Sequence, residues 1–215
     1  MKKLILNTVL LLLFAVFAKA QILQSGWQRI YIKDLGSIDI PPTLEVQAGK
    51  YKEFVDQQNK IKGYDASQLT IQQKGLNNKE QSAFLKYARI MIETTFGNAG
   101  DFDKLNFNIS QYSQTDINDL NTQMKNQTAQ GFSGTELKLI EWYPTKLEKV
   151  NGMSCIHINY KRQMGDKPFV IVHTYVFSNN DRVHRLTLSY RLTEQDYWLK
   201  YMNAAMRSFH VTTTR

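Results

Sequence analysis

The run Phe169-Val-Ile-Val-His-Thr-Tyr-Val-Phe-Ser178, then Asn179-Asn-Asp181, then Arg182-Val-His-Arg-Leu-Thr-Leu-Ser-Tyr-Arg191, decides the fold. Both flanks are rich in β-branched and aromatic residues, which suit a pleated, half-buried surface. The Asn-Asn-Asp between them favours positive φ and side-chain turns. Two strands joined this closely run antiparallel, because a parallel return needs roughly a dozen residues or more. Towards the N-terminus, Met153–Arg162 and Glu136–Tyr143 repeat the pattern, with Asn151-Gly152 and Gly165-Asp166 supplying turns. Towards the C-terminus, Trp198, Met202, Ala205, Met206 and Phe209 recur at the spacing of one helix face, behind Thr193 and Asp196 as an acidic-type cap. The chain from about Thr135 thus predicts four antiparallel strands closed by one amphipathic helix.

The first half reads less uniformly. Trp27–Ile32 and Ser37–Ile40 alternate apolar and polar residues and predict two short strands, the second stopped by Pro41-Pro42. Tyr51 to Lys62 has near-helical spacing and Gly63 offers its end, while Gln68–Gln72 reads as a strand. Phe84, Ala88, Met91, Ile92 and Thr95 share a face if Asn78 opens a helix running to Thr95. Ten of the thirty residues from Asp101 to Gln130 are Asn or Gln, so 97–130 is expected to be an amide-rich insertion. Within it, Phe102 to Ile109 suits a strand, and Ile117, Leu120 and Met124 mark the stripe of a polar helix opened by Thr115 or Asp116. Asn108-Ile-Ser110 and Asn126-Gln-Thr128 match the glycosylation acceptor pattern, which matters only in a eukaryotic secretory pathway.

Met1 to Ala20 has basic Lys2 and Lys3, an apolar run of about 15 residues and an Ala18-Lys19-Ala20 site, the three parts of a secretory signal. Cleavage before Gln21 leaves 21–215 as a single domain, secreted or periplasmic, with no transmembrane segment after cleavage. Of its 215 residues 42% are hydrophobic, enough for a core without disulfides, and the one cysteine, Cys155, closes no internal bridge. The 27 basic and 19 acidic residues give +8; without Lys2, Lys3 and Lys19 the balance is 24 against 19, or +5. Such a mild surplus in paired rather than long basic runs, on an exported chain, argues against a nucleic-acid partner.

Three constellations carry potential chemistry. Cys155 and His157 lie two apart on a strand, a spacing of about 7 Å that puts them on one face but beyond a direct hydrogen bond. With the turn centred on Gly165, His157 falls directly across from His173, bringing two imidazoles together. Two ligands fall short of the usual three or four, so satisfied sheet histidines and a buried thiol stand beside the reactive readings. The carboxylates are scattered, and no phosphate loop, serine elbow or Ser-x-x-Lys motif is present. No catalytic residue, metal ligand or cofactor is assigned.

Ile38-Asp39-Ile40-Pro41-Pro42 soon after Trp27, and Tyr175 to Ser189 running into a capped helix with Trp198 and Ser208-Phe209, together resemble the PsbP-like superfamily. That group includes extrinsic photosystem subunits, a Ran-binding nuclear import factor and many secreted bacterial proteins. The resemblance implies an α+β fold, an antiparallel β-sheet packed between helices as an α/β/α sandwich, with the C-terminal helix on the sheet. It also implies action by association. A noncatalytic binding module for an unknown protein or cell-envelope component is therefore expected. A hydrolase or thiol-dependent enzyme using Cys155, His157 and His173, and an envelope lipid- or surface-binding protein, are the alternatives.

The strand arrangement also suggests where a partner docks. Lys161 and Arg162 end one strand, Arg191 lies near the start of the next but one, and Tyr160, Phe169 and Tyr190 fall nearby. Arginine with rigid aromatic surface is the mixture interfaces favour. Lys161, Arg162, Arg191, Tyr160 and Tyr190 are accordingly expected to gather at one sheet end and receive an anionic partner; the opposing reading buries the aromatics and leaves the arginines in solvent.

Overall fold

A computed structural model describes residues 23–32, 35–61, 69–102 and 112–211. The expected signal segment, the acceptor site at Asn108 and the strand expected after Phe102 lie outside them. Strands β1 (Gln28–Ile32), β2 (Gly36–Ile40) and β3 (Leu44–Val46) precede helix α1 (Gly49–Ile61), and β4 (Leu69–Gln73) precedes the single-turn α2 (Gln81–Phe84). After β5 (Ala88–Phe96) and α3 (Gln114–Gly131) come β6 (Leu137–Val150), β7 (Met153–Met164), β8 (Val170–Asn179) and β9 (Arg182–Arg191). A 3-10 turn (Leu192–Glu194) leads into α4 (Gln195–Ser208), and the two-residue β10 (His210–Val211) follows.

These strands form two antiparallel sheets, a seven-stranded one ordered β3-β4-β5-β9-β8-β7-β6 and a three-stranded one ordered β1-β2-β10. Directly opposed residues of antiparallel strands share a face, so the register sorts the large sheet into two. One, the core face, carries Cys155, Ile171, Tyr175, Phe177, Leu186, Leu188, Tyr190, Ile90 and Ile92, packed with Trp198, Met202, Ala205 and Phe209 of the C-terminal segment and with Ile38 and Ile40 of the small sheet. Fully burying each large apolar side chain here contributes roughly 1.5–3 kcal/mol. The opposite face carries Tyr160, Arg162, Val172, Thr174, Thr187 and Ser189. Helix α3 lies on that side: Trp142 Nε1, paired across the strands with Tyr160, donates to Asn121 Oδ1 at 2.9 Å, and the Phe132 ring meets Tyr160 edge-on at 5.9 Å. The fold is thus α+β, with helices on both sides of an antiparallel sheet.

The four long strands, the Asn151-Gly152 turn (φ 51° and 82°) and the C-terminal helix agree with the sequence reading. The helix expected over Asn78–Thr95 does not form. Only Gln81–Phe84 is helical, and β5 takes the rest. Its Ala88, Ile90 and Ile92 are completely buried between β4 and β9. Alternate apolar residues in a central strand satisfy both backbone and core, overriding a five-residue helical coincidence. The cap of α3 is Ser113, whose Oγ accepts from Asp116 N while the Asp116 carboxylate accepts from Ser113 N, in place of Thr115 or Asp116. The expected Thr193/Asp196 cap is displaced as well, since Thr193 lies in the 3-10 turn and Glu194 occupies the N-cap without a side-chain cap bond.

The small sheet is tied to α4 by polar bonds the sequence hides. Asp39 is buried, accepts Arg29 Nε and Nη2 at 2.7 and 2.9 Å, and donates its backbone N–H to Ser208 Oγ at 2.8 Å. Gly36 lets β10 approach, for a Cβ there would sit 1.8 Å from the carbonyl oxygen of His210. Gly36→Ala should therefore lower unfolding stability by about 1–3 kcal/mol, the usual cost of overpacking. Gly131→Ala, with open space around it, should raise it by up to about 1 kcal/mol on helix propensity alone. Urea unfolding of both variants checks the pair; a neutral Gly36→Ala would contradict the close β2–β10 contact.

Candidate functional site

Cys155, His157 and His173 all project from the core face, on the side of the sheet that α4 covers. Cys155 is completely buried, its Sγ is 3.6 Å from the Glu148 carbonyl oxygen, and burial with the nearby Glu148 charge pushes the thiol up to about 12. Such a thiol stays protonated at neutral pH and is a poor nucleophile.

The two histidines meet, but not as expected. His157 opposes Tyr175, and His173 opposes Asn159, because the β7–β8 turn is centred on Asp166, one residue beyond Gly165. A register shift of two keeps each side chain on its face, so the imidazoles meet diagonally. They belong to a chain: Glu148 Oε1 to His157 Nδ1 is 3.2 Å, His157 Nε2 to His173 Nδ1 is 3.1 Å, and His173 Nε2 to Tyr190 Oη is 3.3 Å. Ionised Glu148 only accepts, which places the His157 proton on Nδ1; His173 then donates from Nδ1, and Tyr190 donates to His173 Nε2. Neutral imidazoles satisfy every link. Tyr175 stacks on His157 at 4.3 Å between ring centroids, covering that ring. Both His157 nitrogens are thus committed, and among the described residues no three His, Cys, Asp or Glu side chains converge as metal ligands.

The expected basic surface divides. Lys161 and Tyr190 lie on the core face, Tyr190 buried and Lys161 paired with Glu141 at 2.5 Å with its Nζ 5.6 Å from the Phe169 ring. Tyr160, Arg162 and Arg191 lie on the opposite face, in adjoining rows of the register. The correction follows from strand alternation, since consecutive Lys161 and Arg162 cannot share a face. Arg191 is held by Glu194 at 3.0 Å and by the Leu85 carbonyl oxygen. No carboxylate among the described residues holds Arg162: its Nη2 donates to Tyr87 Oη at 3.2 Å, and Tyr87 Oη lies 3.2 Å from Ser189 Oγ. Tyr160 stacks on Trp142, 6.0 Å apart and 8° from parallel.

Tyr87, Arg89 and Ser189 are residues the sequence reading missed. Read as a strand, Tyr87-Ala-Arg-Ile90 puts Tyr87 and Arg89 on the face opposite buried Ala88 and Ile90, and that alternation was the available signal.

No family model and no curated protein matches the chain in sequence. In structure it is similar to cyanobacterial PsbP (CyanoP) from Synechocystis sp. PCC 6803, with TM-score 0.51 and 12% identity, covering 92% of this chain and 99% of that one. Weaker likenesses are to LpqN, a protein involved in cell envelope biogenesis of Mycobacterium tuberculosis (TM-score 0.44, 11% identity, 86% of this chain and 90% of that one). A Bacteroides thetaiotaomicron protein follows, with TM-score 0.43 and 9% identity over 89% of this chain and 49% of that one. The class these observations define is a mixed α+β protein with an antiparallel sheet and a C-terminal helix. More particularly, the chain has the PsbP-like fold.

The histidine chain makes stability depend on pH. Burial lowers His157 against the opposing pull of Glu148, and burial followed by the neighbouring His157 brings His173 down to about 4. A depressed base binds fewer protons folded than unfolded, so its contribution is complete above about 6.5 and is lost as pH falls through the folded value. Stability should fall between pH 6.5 and 4, by about 3 kcal/mol from His173 alone. His184, brought to about 4 by burial and Arg182, adds to the slope in the same direction. His173→Gln should flatten the profile in that window; an unchanged slope in urea unfolding would show that His173 is not held neutral.

Proposed function

We propose that the chain is a noncatalytic, extracytoplasmic binding module that docks an anionic protein or cell-envelope component on the opposite face, at the Tyr160–Arg162 end of the sheet. One observation carries this reading, a division of roles between the faces. Cys155 is buried in the core that α4 closes and His157 and His173 share its face of the sheet, while half-buried Arg162 stands on the other face beside the Tyr160–Trp142 stack with the Tyr87 phenol as its hydrogen-bond partner. A protonated, enclosed thiol disfavours the thiol-enzyme alternative, and histidines bonded to one another and to Glu148 and Tyr190 disfavour a hydrolytic one. The leader-like Met1–Ala20 supports export, and among the described residues no helix is long and apolar enough to cross a membrane. Aromatic surface beside an uncompensated arginine suits a partner that supplies the missing negative charge.

Lys161 and Arg162 are neighbours in sequence and lie on opposite faces, which makes them a matched test. In crosslinked capture from the native envelope at physiological salt, Arg162→Ala should lower recovery of the partner by about tenfold, the effect of losing a hot-spot side chain. Lys161→Ala should leave recovery unchanged, and both variants should keep the thermal midpoint within a few degrees. Flotation with anionic and neutral vesicles separates a lipid surface from a protein partner. Equal capture by wild type and Arg162→Ala would overturn the docking site.

A further inference from the structure

We propose that Tyr87, Arg89 and Arg162, grouped above Ser189, form a binding site for a tetrahedral oxyanion of the phosphate-monoester class. This deepens the docking proposal by naming the chemistry the face takes, and it rests on that proposal only for its biological use. Arg89 opposes Ser189, and Arg162 comes from β7 in the neighbouring row, so both guanidinium groups rise from the same face. Tyr87, two residues before Arg89, joins them: Arg162 Nη2 donates to its hydroxyl at 3.2 Å, and the Arg89 guanidinium carbon lies 5.9 Å from its ring centroid. Ser189 Oγ, 3.2 Å from the same hydroxyl, sits at the floor.

Three features suit an anionic ligand. Arg29, Arg182, Arg185 and Arg191 each meet a carboxylate; among the described residues Arg89, Arg162 and Arg207 meet none, and of these three Arg207 is exposed whereas Arg89 and Arg162 are half-buried. The Arg89 Nε is buried without an acceptor, an arrangement that is costly until an acceptor arrives. The Tyr87 phenol also titrates lower than usual: burial would raise it, and the charges of Arg89 and Arg162 together with hydrogen bonds from Ser189 and Arg162 outweigh burial. Each guanidinium offers paired donors in a planar fork, and the phenol adds another between them. A carboxylate has two oxygens and fills one fork. A phosphate monoester has three terminal oxygens and can engage both forks and the hydroxyl. Tyr87, Arg89 and Arg162 are each only half-buried, so part of each residue meets solvent while the Arg89 Nε itself is covered.

The test titrates the folded chain with inorganic phosphate at constant ionic strength, chloride making up the balance, by calorimetry and by thermal midpoint. Saturable phosphate binding and a midpoint that rises with phosphate are expected. Arg89→Gln and Arg162→Gln should each weaken binding by about tenfold or more, as loss of a charge-assisted fork requires. Arg162→Lys keeps the charge and loses the fork, so it should weaken binding too and decides the matter should Arg162→Gln not fold. Exposed Arg207→Gln should titrate as wild type. Arg89→Gln should not lower the midpoint in phosphate-free buffer, because it removes an uncompensated buried donor. Flotation with vesicles of phosphatidic acid in phosphatidylcholine, against phosphatidylcholine alone, tells a headgroup from free phosphate. A response no larger than that to chloride, or wild-type affinity in Arg89→Gln and Arg162→Gln, overturns the site. If phosphate fails to bind while Arg162→Ala still loses capture, the docking face stands and the oxyanion assignment falls; phosphate binding with unaltered capture gives the reverse.

Discussion

The seal between α4 and the core face of β7, β8 and β9 is the constraint on which the rest depends. Trp198, Met202, Ala205 and Phe209 meet Tyr175, Phe177, Leu186, Leu188 and Tyr190 there, and nearly all are buried. Once that face is committed, strand alternation fixes every other side chain of three ten- to twelve-residue strands. The cysteine, two histidines and Tyr190 go inward with the apolar residues, and Tyr160, Arg162, Ser189 and Arg191 go outward. The Glu194 carboxylate fastens the end of this arrangement by accepting from Trp198 Nε1, Arg191 Nη1 and Tyr87 N at 2.7, 3.0 and 3.2 Å. One carboxylate thereby joins the sealing helix, the last strand and the segment that presents Tyr87.

The two faces use polar groups differently. On the core side every hydrogen-bonding atom of the His157–His173 pair has a partner, which lets the pair sit half-buried on the sheet as neutral rings. On the other side, Arg89 and Arg162 meet no carboxylate among the described residues, and Tyr87 stands between them. An uncompensated charge opposes folding unless solvent or a ligand answers it, so such groups belong where a partner can reach. The same logic explains why paired Lys161, one residue away, carries no comparable potential for recognition.

The second half of the chain was largely legible because its signals agree: alternation, turn residues and a helical stripe all specify one meander and one helix. β5 was illegible for a local reason. Phe84, Ala88, Met91, Ile92 and Thr95 fit a helix as well as a strand, and only pairing with β4 and β9, far away in sequence, decides between them. That error also hid Tyr87 and Arg89, whose common face exists only in a strand. The histidine contact expected from a turn centred on Gly165 forms in a register shifted by two, because such a shift preserves the face. The grouping of Lys161 with Arg162 and of Tyr160 with Tyr190 ignored that same alternation, and the structure separates both pairs.

The central claim is that the reactive set is sealed structure and that recognition belongs to the other face. The rate at which a maleimide reagent alkylates Cys155 in the folded chain at neutral pH tests it most directly. A completely buried thiol pushed up to about 12 should react only through opening of the α4 seal, at least about 100-fold more slowly than in the urea-unfolded chain. Native alkylation at close to the unfolded rate, with the fold intact by circular dichroism, would contradict the account and return Cys155 to the candidates for catalysis.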